Sequence, residues 1–304
     1  MISFRYHLVS IVAVFLALAL GIVVGTTALN GPITTDLRKQ VNTLKGDRNS
    51  LAQQVKTLHG QVGDANAFAE EFGTEIVTNT LSKKTALIIA LPGAARSTVD
   101  GVESQIAAAG GTTSRLELTS SYVDQRRGGD ITTLVTSIHP SGLTLPEVND
   151  PGQLGGAELA YVLLGRGQAT DLDQVLGAFS ELHMISVSGG RLTPSTTIVV
   201  VGTGAMRVGD YSASMELSLV RALSQAGGHL VVAGNGASAA QAGIVAAVRS
   251  SGSDRSAVST VDNADTAIGQ VSTVLALAAA ANDQSAGHYG TAKGAEALFP
   301  SAPK

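Results

Sequence analysis

The residues whose types and spacing suit chemistry gather in the second half of the chain. Gly234-Asn235-Gly236-Ala237-Ser238-Ala239 reads G-x-G-x-x-A between a strand-like run, His229–Ala233, and a helix-like run, Ala237–Ser250. In a dinucleotide site such glycines let a phosphate reach a helix N-terminus, and an acid ends the following strand. Asp262 stands at that place after the strand-like Ala257–Val261, so Gly234, Gly236 and Asp262 form the candidate cofactor-binding set. A tight βα turn needs the same glycines without any ligand, and this motif lies on a late strand rather than the first. Gly202-Thr203-Gly204 is a weaker echo, with Arg207 where a third small residue belongs. Ser238 is no nucleophile elbow, because Gly236 stands two before it but Ala240 two after.

Metal and acid–base chemistry have less to draw on. The chain has no Cys, which removes disulfides, thiolate sites and cysteine nucleophiles. Its histidines, His7, His59, His139, His183, His229 and His288, are never spaced as two ligands one helical turn apart. Soft metal ions accept thioether ligands, and His183-Met184 is the adjacent His/Met pair, the candidate metal position. It stands at a helix end, where a methionine packed in the core is the plain alternative. His288, Tyr289-Gly290-Thr291 and Lys293 fall in a Gly-rich tail that reads as docked on the body. Asp171 and Asp173 open a helix, where acids complement the dipole. No carboxylates pair convincingly as acid and base, so a protein without catalytic residues or a resident cofactor is expected. With 24 acids against 20 bases and a net charge of −4, no basic face for nucleic acid is expected either.

The elements that would position these residues form an alternation. TALIIA at 85–90 reads as a buried strand before Pro92-Gly93, and Ser97–Ala109 as a helix stopped by Gly110-Gly111. Ser114–Leu118 is the next strand. Between Ser120 and Gly156 lies a polar insertion around one helix, Ile131–Ile138. Then Tyr161–Leu164 reads as a strand, Leu172–Leu182 as a helix, Thr197–Val201 as a strand and Ala213–Ala226 as a helix. After Ala257–Val261 comes an Ala-rich helix, Ala264–Ala281. Short apolar strands alternating with helices predict an α/β sandwich of Rossmann-like or flavodoxin-like character with a mostly parallel sheet.

Ahead of this head stand two different segments. Leu8–Leu29 has only Ser10, Thr26 and Thr27 as polar residues, long enough to cross a bilayer as one helix. Thr26-Thr27-Ala28 as a small-residue cleavage site keeps a cleaved signal open. The short N-terminal tail with Arg5 favours an N-in, single-pass anchor in the cell membrane with the bulk outside the cytoplasm. Next, Leu37, Val41, Leu44, Arg48, Leu51, Val55, Leu58 and Val62 alternate steps of four and three, and Ala65, Ala69 and Phe72 continue them. With Val41, Val55 and Val62 at a and leucines at d, a parallel two-stranded coil is expected. Gly46, Gly60 and Gly63 fall at f or b, away from the seam. The flanking pairs Gln40/Lys45, Asp47/Ala52 and Gln54/His59 carry no opposite charges, so a homodimer is the default and a coil with another envelope protein stays open. A helix folded back on the head is the plain alternative. The expected divisions are anchor 1–30, rod 31–75, head 76–286 and tail 287–304.

Several stretches resemble one known family. Met1-Ile2-Ser3, Arg5, His7, Val9-Ser10, Ala13-Val14-Phe15-Leu16-Ala17-Leu18-Ala19 and Gly21 at the start, with Gly287-His288, Tyr289-Gly290-Thr291 and Gly294-Ala295 near the end, are similar to the actinobacterial copper transport outer membrane protein family, MctB. The resemblance covers essentially the whole chain and implies copper homeostasis by efflux across the envelope, with outer-membrane association. It also implies a second role, that of corynebacterial relatives acting with a cytoplasmic partner in cell separation and envelope assembly. It assigns no metal ligand to a numbered residue. The residues themselves speak against a pore, since one apolar helix encloses no channel and no series of alternating ten-residue strands suggests a barrel. A dimeric, non-catalytic scaffold is therefore the expected mechanism.

Overall fold

Leu87 and Ile89 of the run TALIIA point to one side of a strand, and Ala86, Ile88 and Ala90 to the other. All five are buried, so this strand must lie inside a sheet covered on both faces. The computed structural model of the chain, which describes residues 4–188, 190–202, 204–207 and 209–301 without the side chains of 27–34, shows that arrangement. Thr203 of the weaker glycine motif and Met1-Ile2-Ser3 lie outside the described residues, as do the side chains of the candidate cleavage residues Thr27 and Ala28.

The chain divides into two units, Met1–Gly63 and Asp64–Lys304. The first is helical: helix α1 runs Phe4–Val77, and its segment Phe4–Thr26 is long and apolar enough to cross a membrane. At 1.5 Å per residue that segment spans about 35 Å. The Thr26 hydroxyl donates to the Ile22 carbonyl at 2.9 Å, which satisfies a polar group in an apolar stretch.

The second unit takes in the last turns of α1, inside the stretch expected as rod. Ala69 and Val77 are buried, and a Cβ on Gly73 would stand 2.6 Å from Val271. Then follow β1 (Thr85–Ala90), α2 (Arg96–Ala108), β2 (Thr112–Leu118), α3 (Gly128–Ile138), α4 (Pro151–Leu163), α5 (Ala169–Glu181), β3 (Ile185–Ser188) and β4 (Thr197–Val201). The chain continues through α6 (Tyr211–Gln225), β5 (His229–Ala233), α7 (Ile244–Ser250), α8 (Gly252–Ala257), β6 (Ser259–Val261), α9 (Ala267–Ala280) and β7 (His288–Tyr289). The strand order is β3-β2-β1-β4-β5-β6-β7, parallel except for β3, which runs antiparallel to β2. One face packs Leu87, Ile89, Ile198 and Val200 with residues of α3 to α7. The other packs Ile88, Val199, Val201 and Val231 with residues of α2 and α9.

Three readings of the sequence need correcting. Tyr161–Leu164 is no strand: Tyr161–Leu163 close α4 and Leu164 caps it. Asp150 accepts from the Gln153 N–H at 2.8 Å and Pro151 opens the helix, so nothing breaks the backbone before Leu163. Gly156 lets α4 lie against α6, where a Cβ would sit 3.2 Å from the Ser218 carbonyl. A short buried apolar run is compatible with strand or helix, and close helix packing decides here. The insertion holds α3 and the start of α4, not one helix. The sheet's antiparallel edge is instead Ile185–Ser188, where Ile185 is buried and the two serines alternate with Val187. The third lies at residues 237–243, where a 3₁₀ turn and a loop stand in place of the expected start of a helix.

The helical layer holds a titratable group without a partner. Glu158 on α4 is fully buried, neither carboxylate oxygen has a hydrogen-bond partner, and burial pushes its pKa up to about 7. Glu216 on α6 is 2% exposed, and burial, aided by Asp210, raises it to about 8. Both are raised above the unfolded value of 4.5, so the stability associated with their neutral forms is complete below pH 4.5 and is lost as pH rises to about 7 and 8. For Glu158 this loss is on the order of 3 kcal/mol. E158Q is therefore expected to raise the Tm at pH 8 with little effect at pH 4.5, and E158Q/E216Q to flatten most of the slope between. Thermal unfolding followed by circular dichroism across that range checks it.

Candidate functional site

Of the residues singled out for cofactor chemistry, the structure brings Asp262 to a buried polar cluster and leaves the glycines in a turn beside it. Gly234 directly follows β5, and its N–H donates to the Val261 carbonyl at 2.9 Å. A Cβ there would meet the Gly202 carbonyl at 2.8 Å, so strand packing alone requires this glycine. Gly236 opens a 3₁₀ turn, Gly236–Ala239, and α7 begins only at Ile244. The helix expected from Ala237 is thus displaced. The Ser238 hydroxyl donates to the Asn235 carbonyl at 2.6 Å, and Gly243 lies hard against the Ser238 backbone, folding the chain into a loop first.

Asp262, directly after β6, is fully buried and has its oxygens occupied within the chain. Oδ2 accepts from Arg249 Nη1 at 2.8 Å; Oδ1 accepts from the Thr291 and Ala292 N–H groups at 2.8 and 3.1 Å. Arg249 on α7 also donates from Nε to Thr260 Oγ1 and from Nη2 to the Tyr289 carbonyl, each at 2.8 Å. His288 completes the set. Its Nε2 lies 3.1 Å from the Arg255 carbonyl, an acceptor only, so Nε2 carries the proton. Nδ1 then accepts from the Thr260 hydroxyl at 2.9 Å, and that hydroxyl in turn accepts from Arg249. Burial first, then the Arg255 charge, with Arg249 adding to it against an opposing Glu296, holds the His288 pKa below its ordinary value. Every member of this network has a partner, and its products are a docked tail and strand β7.

Gly290 explains why the tail can approach so closely. Its φ of +123° is open to glycine, and a Cβ would fall on the Asp262 carboxylate. Sequence reasoning picked out Asp262 and the His288 segment but not Arg249, whose partner Asp262 is 13 residues on. An arginine on a short helix beside an acid at a strand end is the signal that links them.

The candidate metal pair separates by burial. Met184 is fully buried in the core, while His183, with φ +53°, supplies its carbonyl to the Thr119 hydroxyl at 2.6 Å. Met215 is 2% exposed. Among the described residues no three His, Asp or Glu side chains converge as a ligand set. A crevice of about 210 Å³ lies at the carboxyl ends of β1 and β2, lined by Gly93, Arg96, Arg115 and Glu117 among others. Arg115 there is paired with Asp100, with Glu103 at 2.8 Å and with Glu117 at 3.8 Å, which makes a charge-pair cluster rather than an acid and base.

The seam residues in the first unit are the reverse of this buried polar cluster. Leu37, Val41, Leu44, Leu51, Val55, Leu58 and Val62 are each 46–66% exposed, and Arg48 is exposed among them.

One membrane-length apolar helix and a mixed α/β body with a mostly parallel sheet fit a single-pass membrane protein. The chain belongs to the family described as copper transport outer membrane protein, MctB, whose model matches residues 1–300. A protein named Copper transporter MctB from Mycobacterium tuberculosis is 30% identical over 307 residues, covering 97% of this chain and 98% of that protein. The protein of that name from Mycobacterium bovis aligns with the same figures. That from Mycobacterium leprae is 29% identical over 315 residues, covering 98% and 99%.

Removing one member of a buried ion pair leaves a charge uncompensated. R249M is expected to cost about 3–5 kcal/mol, read from urea unfolding, and to loosen the tail toward proteases. The lowered His288 pKa has the opposite pH sense to Glu158. Its contribution is present above the ordinary histidine range and is lost as pH falls from about 6.5 through the lower folded value. H288Q should remove that acid-side loss.

Proposed function

We propose that this chain is a membrane-anchored, dimeric scaffold without a catalytic step of its own, serving copper homeostasis in the cell envelope. The single observation that carries the scaffold is the exposed seam: seven aliphatic side chains at a and d spacing, about half exposed or more, on one helix. An apolar stripe of that length in water calls for a second helix, and β-branched residues at a with leucine at d favour a parallel pair. The copper role rests on family membership and on the relatives' names.

In this reading Phe4–Thr26 anchors the protein N-in, the coiled coil over Leu37–Phe72 pairs two copies, and the α/β heads stand outside the cytoplasm. Copper is then a cargo handled by the assembly that the scaffold supports, and the chain is not itself the pore. One apolar span encloses no channel, and the described strands form a sheet buried between helices rather than a barrel wall.

Light scattering on residues 31–304 should give a dimer, and replacing Leu51 and Val55 by Asp should give monomers with unchanged circular dichroism. In cells, the double variant should reproduce the copper sensitivity of a deletion. Dimers that survive the double substitution defeat the scaffold reading. A deletion that leaves copper tolerance intact but disturbs cell separation would move the scaffold to envelope assembly.

A further inference from the structure

The second unit has an apolar groove that its described side chains do not fill. It has a volume of about 210 Å³ and is lined by Phe68 and Ile76 from the end of α1, Val271 and Leu275 from α9, and Phe299 from the tail. Phe68, Ile76 and Phe299 are 59%, 47% and 53% exposed, and Phe72 stacks against Phe68 with ring centroids 4.9 Å apart. The chain has six phenylalanines: Phe4 and Phe15 lie in the apolar anchor segment and Phe179 in the core. The remaining three are on this face, each at least 40% exposed.

The occupant follows from register. Counting on from Val62 at a, the repeat places Ala65 at d, Ala69 at a, Phe72 at d and Ile76 at a. Ala69 is consumed within its own unit, where it is buried. Phe72 and Ile76 are not, although they hold the positions that a parallel, in-register pair turns toward its own counterparts. Size argues the same way. A stable interface takes roughly 800 Å² from each partner. Aromatic side chains of about 200 Å² each, at these exposures, supply on the order of 300 Å² of it from three phenylalanines.

We infer that a second copy of this chain covers the groove, its own Phe68–Phe72 turn packing beside Ile76 and Phe299, so that the heads pair as well as the rods. This rests on the parallel pairing proposed above. It adds that the tail, through Phe299, is part of the interface.

The absence of cysteine makes the test direct, because each introduced thiol is the chain's sole thiol. Full-length F72C, I76C and V55C, in membranes and treated with a short bismaleimide, should each crosslink to a dimer. T74C, exposed at an f position, should not. Crosslinking of V55C without F72C or I76C would overturn the paired heads and leave the paired rod standing. Loss of all three would overturn both. Equal crosslinking of T74C would mark random collision and overturn the inference as well. Independently, F68D/F299D changes two exposed side chains and should weaken dimerisation of the detergent-solubilised chain at least tenfold. An unchanged dissociation constant would also overturn it.

Discussion

Burial of both faces of the central strands is the constraint on which the rest of the second unit depends. β1 and β4 have no face that tolerates water, so helices must lie on either side and crossovers must connect parallel neighbours. That requirement explains the small residues at contact points, such as Gly156 against α6 and Gly73 against Val271. It also explains the polar exceptions. Burial pushes Glu158 toward its neutral form, whereas Asp262 is met by a matched arginine and two backbone N–H groups.

Legibility in the sequence followed the strength of periodic signals. The continuous apolar runs at 85–90, 197–201 and 229–233 were readable as strands because length and flanking turn residues separate them from helices. Tyr161–Leu164 resembles a strand because four apolar residues after a Gly-rich stretch carry no period of their own. Their helical state comes from the Asp150 cap upstream and from packing on α6. Strand β3 hides for the opposite reason, since serines at alternate places disguise an edge strand as loop.

The candidate site was legible only in part. Asp262 was visible as an acid at a strand end, and the nucleotide pattern supplied a ready meaning for it. The structure pairs it instead with Arg249 and the tail, a contact between positions 13 to 30 residues apart that no local spacing encodes. His183 and Met184 are adjacent in sequence yet differ in burial, because a left-handed residue at 183 turns the chain while the methionine goes into the core. The four-and-three spacing from Leu37 to Val62 lies within one helix, and its aliphatic side chains are exposed.

Strand β7 and the loop after it bring a constraint of timing. Asp262 and Arg249 take partners from Tyr289, Thr291 and Ala292, which come later in the chain than either. Because synthesis runs from the N-terminus, β6 and its ion pair are made before the residues that cover them. A chain cut before His288 would keep the central strands covered on both faces and yet carry an unlatched edge. The edge beyond β6 is thus the part of the described sheet that the order of the chain leaves to be closed last.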